Sequence, residues 1–150
     1  MIIAIGADHG GFYLKQTVVA LLKELGHTAL DVGAYTDEPS DYPDFAKGVS
    51  ELIIRKKAKR GIIICGSGVG ACIAANKFPG VRASVCHDTF SARQGVEDDD
   101  MNVICLGERV IGAELAKEIV MTFLSARFSG EDRFRRRLEK VKQIEKEFMK

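Results

Sequence analysis

Residues 62–77 read Ile62-Ile63-Ile64-Cys65-Gly66-Ser67-Gly68-Val69-Gly70-Ala71-Cys72-Ile73-Ala74-Ala75-Asn76-Lys77. An apolar run of β-branched residues, with no polar alternation, reads as a strand covered on both faces. The three glycines then form a tight loop, and the Val, Ala and Ile residues after it open a helix. A helix start presents backbone N–H groups and a partial positive charge, so this loop can hold an anion beside the Cys65 thiol.

The same alternation extends in both directions. Short β-rich runs recur at residues 2–5, 29–32, 83–86 and 103–106. Leu14, Val18, Leu21, Leu22 and Leu25 repeat at helical spacing before Gly26, and Val49, Leu52 and Ile53 do so ahead of a basic stretch at 55–60 that suits a helix C-terminus. Strands alternating with helices predict an α/β fold with a five-stranded parallel sheet and helices on both faces. Another amphipathic helix runs through Ile111, Leu115, Ile119 and Phe123, and a last one carries Phe134, Leu138, Val141, Ile144 and Phe148 after Ser129-Gly130. No strand follows it. Its apolar stripe either caps its own sheet or packs on a second subunit, and we read it as the subunit contact.

A chain of 150 residues, 46% hydrophobic, suits a single domain over 1–150. The formal charge of +1, from 22 basic and 21 acidic residues, argues against a nucleic-acid surface. No leader pattern is seen and no apolar run reaches the ~20 residues of a spanning helix, so the expectation is a soluble, cytoplasmic protein without a membrane partner. Cys65, Cys72, Cys86 and Cys105 lack Cys-x-x-Cys spacing and read as reduced thiols, with no metal site. The longest irregular stretch, 33–44, holds Pro39, Tyr42 and Pro43, and long loops often carry function.

In an open parallel sheet, ligands bind beyond the carboxyl ends of the strands. The residues placed there are Asp8-His9-Gly10-Gly11, the Cys65 loop, His87-Asp88 and Gly107-Glu108-Arg109. The glycine spacing at 66, 68 and 70 is not the dinucleotide fingerprint, and no Gly-Lys pair supports a triphosphate loop. A Cys-x5-Arg phosphatase would need arginine at 71, where the chain has Ala71. Proton transfer on a phosphorylated small molecule remains. Aldose–ketose isomerisation needs one base, donors for an enediolate and a group that opens the sugar ring, and it needs no cofactor.

Each residue also has a plainer alternative. Cys65 can be a small buried strand residue, His9 can sit at a helix start, and Asp8 can cap that helix. His27 follows Gly26 and reads as a helix-end residue; His87 reads as support for the site rather than chemistry. Arg133 and Arg137, four apart, share a helix face and can grip one phosphate, or form part of a solvated face. The run Glu97-Asp98-Asp99-Asp100 would ordinarily be a solvated helix end.

With Gly6-Ala7-Asp8-His9-Gly10-Gly11, Asp41-Tyr42-Pro43-Asp44, the Cys65–Gly70 loop, Ala74-Ala75-Asn76-Lys77 and Gly107-Glu108-Arg109-Val110 in order, the chain resembles the type B ribose-5-phosphate isomerase family over nearly its whole length. Galactose-6-phosphate and allose-6-phosphate isomerases share that framework. The resemblance implies a Rossmann-like three-layer α/β/α sandwich and a homodimer, with pairing into a tetramer as a further option. It also implies active sites at the subunit interface, a small phosphorylated sugar as substrate, and no cofactor. It matches Cys65 to the proton-transferring thiol, and Gly66, Ser67, Gly68, Val69 and Gly70 to the enediolate cradle, with the Ser67 hydroxyl assisting. Asp8 and His9 match contacts to sugar hydroxyls and ring oxygen, Tyr42 a pocket wall, and Arg109, Arg133 and Arg137 the phosphate site.

The chain departs from the family where His-Asn-Asp-Ala-Asn-Val is usual and Asp98-Asp99-Asp100-Met101-Asn102-Val103 stands instead. Asp98 replaces the ring-opening histidine and Asp99 the neighbouring asparagine. A carboxylate is a poor acid near neutrality unless burial or neighbouring acids raise its pKa from about 3.9. Either Asp98 or His9 opens the ring, or the substrate differs or enters open. Phe134 stands where a histidine often assists phosphate binding. A non-catalytic sugar-phosphate sensor on the same fold is the reading from another class.

Overall fold

At the centre of the sheet, Ile2–Ala7 (β1) pairs in parallel with Thr28–Asp31 (β2) on one side and Arg60–Cys65 (β3) on the other. Ala83–Val85 (β4) takes the far edge and Val103–Gly107 (β5) fills the place between β3 and β4, giving the order β2-β1-β3-β5-β4. These relations come from a computed structural model that describes residues 1–149. The helices are Phe12–Glu24 (α1), Tyr42–Ile54 (α2), Val69–Ala75 (α3), Thr89–Asp99 (α4), Ala113–Ser125 (α5) and Asp132–Phe148 (α6).

Alternation along the strands divides the core into two. Ile3, Ile5, Ile62, Ile64, Ile104 and Leu106 pack with Val18, Val96, Ile119 and Phe123 of α1, α4 and α5. On the other face Ala4, Ile63, Cys65 and Cys105 meet Ala46, Val49, Ala71 and Ala75 of α2 and α3. The result is the three-layer sandwich expected. Ile62, Ile63 and Ile64 are each essentially inaccessible to solvent, which accounts for the unbroken apolar run. Truncating one to alanine should cost about 2–5 kcal/mol.

Several local expectations change. Arg60 is no helix end: α2 stops at Ile54, and Arg60 opens β3, buried, with its guanidinium bonded to the carbonyls of Phe123 and Ala126 at the end of α5. Tyr42 and Pro43 begin α2 rather than sit in the loop, proline suiting a first turn that needs no N–H. On α1 the stripe includes Lys15, which is 2% exposed and pairs with Asp31 at 2.7 Å and the Ala34 carbonyl at 2.6 Å, whereas Leu25 is exposed. A buried charge is held by such partners. The last helix caps its own sheet in part and leaves most of its apolar stripe uncovered within one chain. Leu138 is buried and Glu145 accepts from Gly80 N–H at 2.9 Å, yet Val141, Ile144 and Phe148 are 50%, 61% and 74% exposed.

From β1 the chain turns to β2 on one side, and from β3 it turns to the other. The loops after β1 and β3 therefore part at the carboxyl edge of the sheet, opening a crevice there.

Candidate active site

Cys65 is the last residue of β3, and its side chain faces the α2/α3 layer, 5% exposed. Its sulfur accepts the Gly68 N–H at 3.1 Å. The return needed to aim that N–H at the sulfur puts Gly68 at φ +82°, a left-handed conformation that glycine adopts without strain. The Ser67 hydroxyl accepts from Val69 N–H at 3.2 Å, and the amides of Gly66 and Ser67 have no acceptor among the described residues. Two backbone donors thus remain for a ligand oxygen beside the sulfur.

The cleft over this loop encloses about 310 Å³ and is lined by Asp8, Tyr42, Cys65, Gly66, Ser67, Gly70, Arg109 and Val110. That suits a small polar ligand. Seven of the expected site residues, Tyr42 among them, therefore meet in one place, brought from the ends of β1, β3 and β5 and the start of α2. Tyr42 lies so close to Gly70 that a Cβ there would fall 2.7 Å from Tyr42 Cζ, so the wall and the loop require each other. Gly68 is buried under the loop, and Val69 points out, 52% exposed; neither lines the cleft.

Asp8, 7% exposed, accepts from Gly10 N–H at 2.9 Å, so it caps the 3-10 turn His9–Gly11 while lining the cleft. His9 is outside the lining, and its Nδ1 lies 3.1 Å from both the N–H and the carbonyl oxygen of Ser40. Nδ1 accepts from the N–H in the tautomer protonated on Nε2 and donates to the carbonyl in the one protonated on Nδ1, and either way Nε2 is left for a ligand. Ser40 was invisible as a partner in the sequence because 31 residues separate the two.

The segment after β5 is stapled to the Cys65 loop. Glu108 N–H bonds the Cys65 carbonyl at 2.9 Å and Arg109 N–H that of Gly66 at 3.1 Å, while the Glu108 carboxylate accepts from Leu14 N–H at 2.6 Å. Arg109 thereby hangs over Gly66. His87 accepts from Gly107 N–H at 2.9 Å.

Asp98, Asp99, Arg133 and Arg137 are not brought to this cleft within one chain. Asp98 accepts from Gln94 at 2.8 Å along α4, and Asp99 borders separate hollows beside Arg82. Desolvation and the Asp98 charge push the Asp99 carboxyl up. Arg133 pairs with Glu131 at 3.3 Å and lies over the Phe134 ring at 4.5 Å, with Arg137 at 5.8 Å from the same ring. Phe134 thus gathers the two guanidiniums instead of adding a donor.

Comparison with known proteins agrees with this fold. A family profile described as Ribose/Galactose Isomerase matches residues 3–141. Ribose-5-phosphate isomerase B of Escherichia coli (strain K12) is 45% identical over 143 residues, 95% of each chain. The solved ribose-5-phosphate isomerase B of Clostridium thermocellum superposes with a TM-score of 0.96 at 46% identity over 99% of both chains. That of Mycoplasma genitalium, solved with bound ribulose-5-phosphate, does so at 0.92 and 38% identity over 97% of each.

Proposed function

Since the chain belongs to the ribose/galactose isomerase family, we propose that it interconverts ribose 5-phosphate and ribulose 5-phosphate as a cofactor-independent aldose–ketose isomerase. The observation that carries this is the Cys65 sulfur on the Gly68 amide, in a cleft of sugar-phosphate size with two unpaired loop amides beside it.

Cys65, as thiolate, removes the proton on C2 of the open-chain aldose, and the C–H electron pair moves toward C1 as its carbonyl becomes an enediolate oxygen. The Gly66 and Ser67 amides with the Ser67 hydroxyl hold that oxygen, the C2 hydroxyl proton passes to it, and the proton on sulfur is delivered to C1 as the C2–O bond becomes the ketone carbonyl. Asp8 binds sugar hydroxyls, Tyr42 closes one wall, and Arg109 meets the phosphate end. His9 Nε2 is the ring-opening group this chain offers beside the cleft, with Asp98 the competing candidate.

Asp98, Asp99, Arg133 and Arg137 reach a site only if a second copy presents them. The exposed Val141, Ile144 and Phe148 support α6 lying against a partner, so the reading is a homodimer with shared sites, with pairing into a tetramer as a further option. Among the described residues no helix is long and apolar enough to cross a membrane, and all four cysteines are free thiols, which supports a cytoplasmic location.

Turnover of ribose 5-phosphate, allose 6-phosphate and galactose 6-phosphate tests the assignment. The pentose phosphate should be converted most efficiently. Binding of all three without conversion of any would replace the enzyme with a sensor. Mixing Cys65→Ala with Arg137→Ala protein, at a substrate concentration far below the raised KM of the latter, should restore activity if sites are shared; failure of exchanged subunits to do so would confine the site to one chain.

A further inference from the structure

The edge strand β4 is short. It pairs with β5 from Ala83 to Val85, and the last pair is Val85 with Cys105. Two residues farther on, β5 still presents the Gly107 N–H toward the side that β4 has left. A longer strand would meet it with a carbonyl. Here the imidazole of His87 does, with Nε2 accepting at 2.9 Å.

Gly107 is where β5 touches the catalytic loop. A Cβ on it would fall 2.7 Å from the carbonyl carbon and oxygen of Ser67, and its neighbours Glu108 and Arg109 bond the carbonyls of Cys65 and Gly66. Whatever fixes Gly107 fixes the loop that carries the sulfur and the two free amides. We propose that His87 is a positioning residue of the isomerase site, its neutral ring holding the end of β5 in place and with it the Cys65 loop. The assignment rests on the isomerase reading above.

Accepting from an amide requires an unprotonated Nε2, so the proton sits on Nδ1. Protonation sets N–H against N–H and breaks the link. Burial pushes the ring below its usual pKa, while Asp88 pulls the other way. The charged or titratable groups nearby have other engagements: Asp88 accepts from Ser91 N–H at 2.7 Å, Cys86 is held as a thiol by burial, Glu108 caps Leu14, and Arg109 lies over Gly66. The bond is therefore intact near neutrality and is lost on acidification.

His87→Leu removes the acceptor and keeps much of the volume; His87→Gln places an amide oxygen near the Nε2 position and does not titrate. In His87→Leu, kcat on ribose 5-phosphate should fall about tenfold with KM changed no more than about twofold, because the loop serves the enediolate rather than the phosphate. His87→Gln should recover most of that kcat and lose the part of the acid limb that wild type owes to this ring. Independently of activity, the Gly107 amide proton in wild type should shift with pH as the ring titrates, and should not do so in His87→Gln. The proposal is overturned if His87→Leu matches wild type, if folded His87→Gln is as impaired as His87→Leu, or if the Gly107 amide does not titrate. Should His87→Leu fail to fold, His87→Gln and the amide titration still decide. Should wild type not convert ribose 5-phosphate, the isomerase reading fails, and the amide titration alone judges the link.

Discussion

Replacing Gly107 with alanine is the sharpest mechanical test of the site. The added methyl would lie 2.7 Å from the Ser67 carbonyl carbon and oxygen and 2.8 Å from its Cα, about 0.7 Å short of ordinary van der Waals contact. All three are backbone atoms, so no side-chain rotation relieves the overlap. Either β5 or the loop must move, and the Glu108 and Arg109 amide bonds resist the first. Overpacking of this kind costs about 1–3 kcal/mol. At about 2–4 °C per kcal/mol for a chain of this size, Tm should fall by roughly 2–12 °C. A displacement approaching 1 Å at a catalytic group can remove about 10²-fold of turnover. Ribulose 5-phosphate formation at saturating ribose 5-phosphate, measured beside thermal unfolding, should therefore show kcat lost well beyond the loss of folded protein. Gly112→Ala is the control, since nothing lies within 4 Å of its Cβ position and its φ is −83°. Turnover of Gly107→Ala within about twofold of wild type would refute the tight coupling of β5 to the loop.

Cys72 is half-buried, and a hydrogen bond from Cys105 brings its pKa from 9.0 down to about 7, while Cys105 is pushed well up and buried. Iodoacetamide near neutrality should therefore alkylate Cys72 even in Cys65→Ala and leave Cys105 unmodified, read by peptide mass mapping; the reverse order would contradict the thiol pair. Arg137→Ala should raise KM for ribose 5-phosphate about 10- to 100-fold, as expected from losing a charge-assisted bond of about 1.5–3 kcal/mol, with kcat less affected; an unchanged KM would remove Arg137 from the phosphate site. Burial lowers His87 and His27 from the usual 6.5, with the N-terminal ammonium adding to the effect at His27. The unfolded chain then takes these protons first, so stability is full above about pH 6.5 and declines as pH falls toward the folded-state values. Denaturation from pH 7.5 to 5 should show that slope, reduced in His87→Gln; equal slopes in both proteins would contradict it.

The layers were legible because Ile62-Ile63-Ile64 has no polar position to expose, and because parallel strands confine ligand-facing residues to their carboxyl ends. That rule found Asp8, the Cys65 loop and Arg109. What it could not supply were pairings across long separations. Lys15, which the apolar spacing of its helix leaves out, is buried against Asp31 and the Ala34 carbonyl. Arg60 reads as part of a basic helix end, because its partners, the Phe123 and Ala126 carbonyls, lie more than 60 residues away. Ser40 beside His9 was missed for the same reason, while Val110 enters the cleft wall as the apolar neighbour of Arg109. The absence of Asp98, Asp99, Arg133 and Arg137 from the cleft follows from their places at the end of α4 and on α6, which no loop of the same chain carries to the crevice.

The central claim is that Cys65 moves the substrate proton. Conversion of ribose 5-phosphate in deuterated water by wild type and by Cys65→Ala measures it directly. Wild type should form ribulose 5-phosphate and exchange the migrating hydrogen with solvent, while Cys65→Ala, folded by its thermal transition, should do neither. Persistent exchange or turnover in Cys65→Ala would contradict the assignment of the thiol as the base.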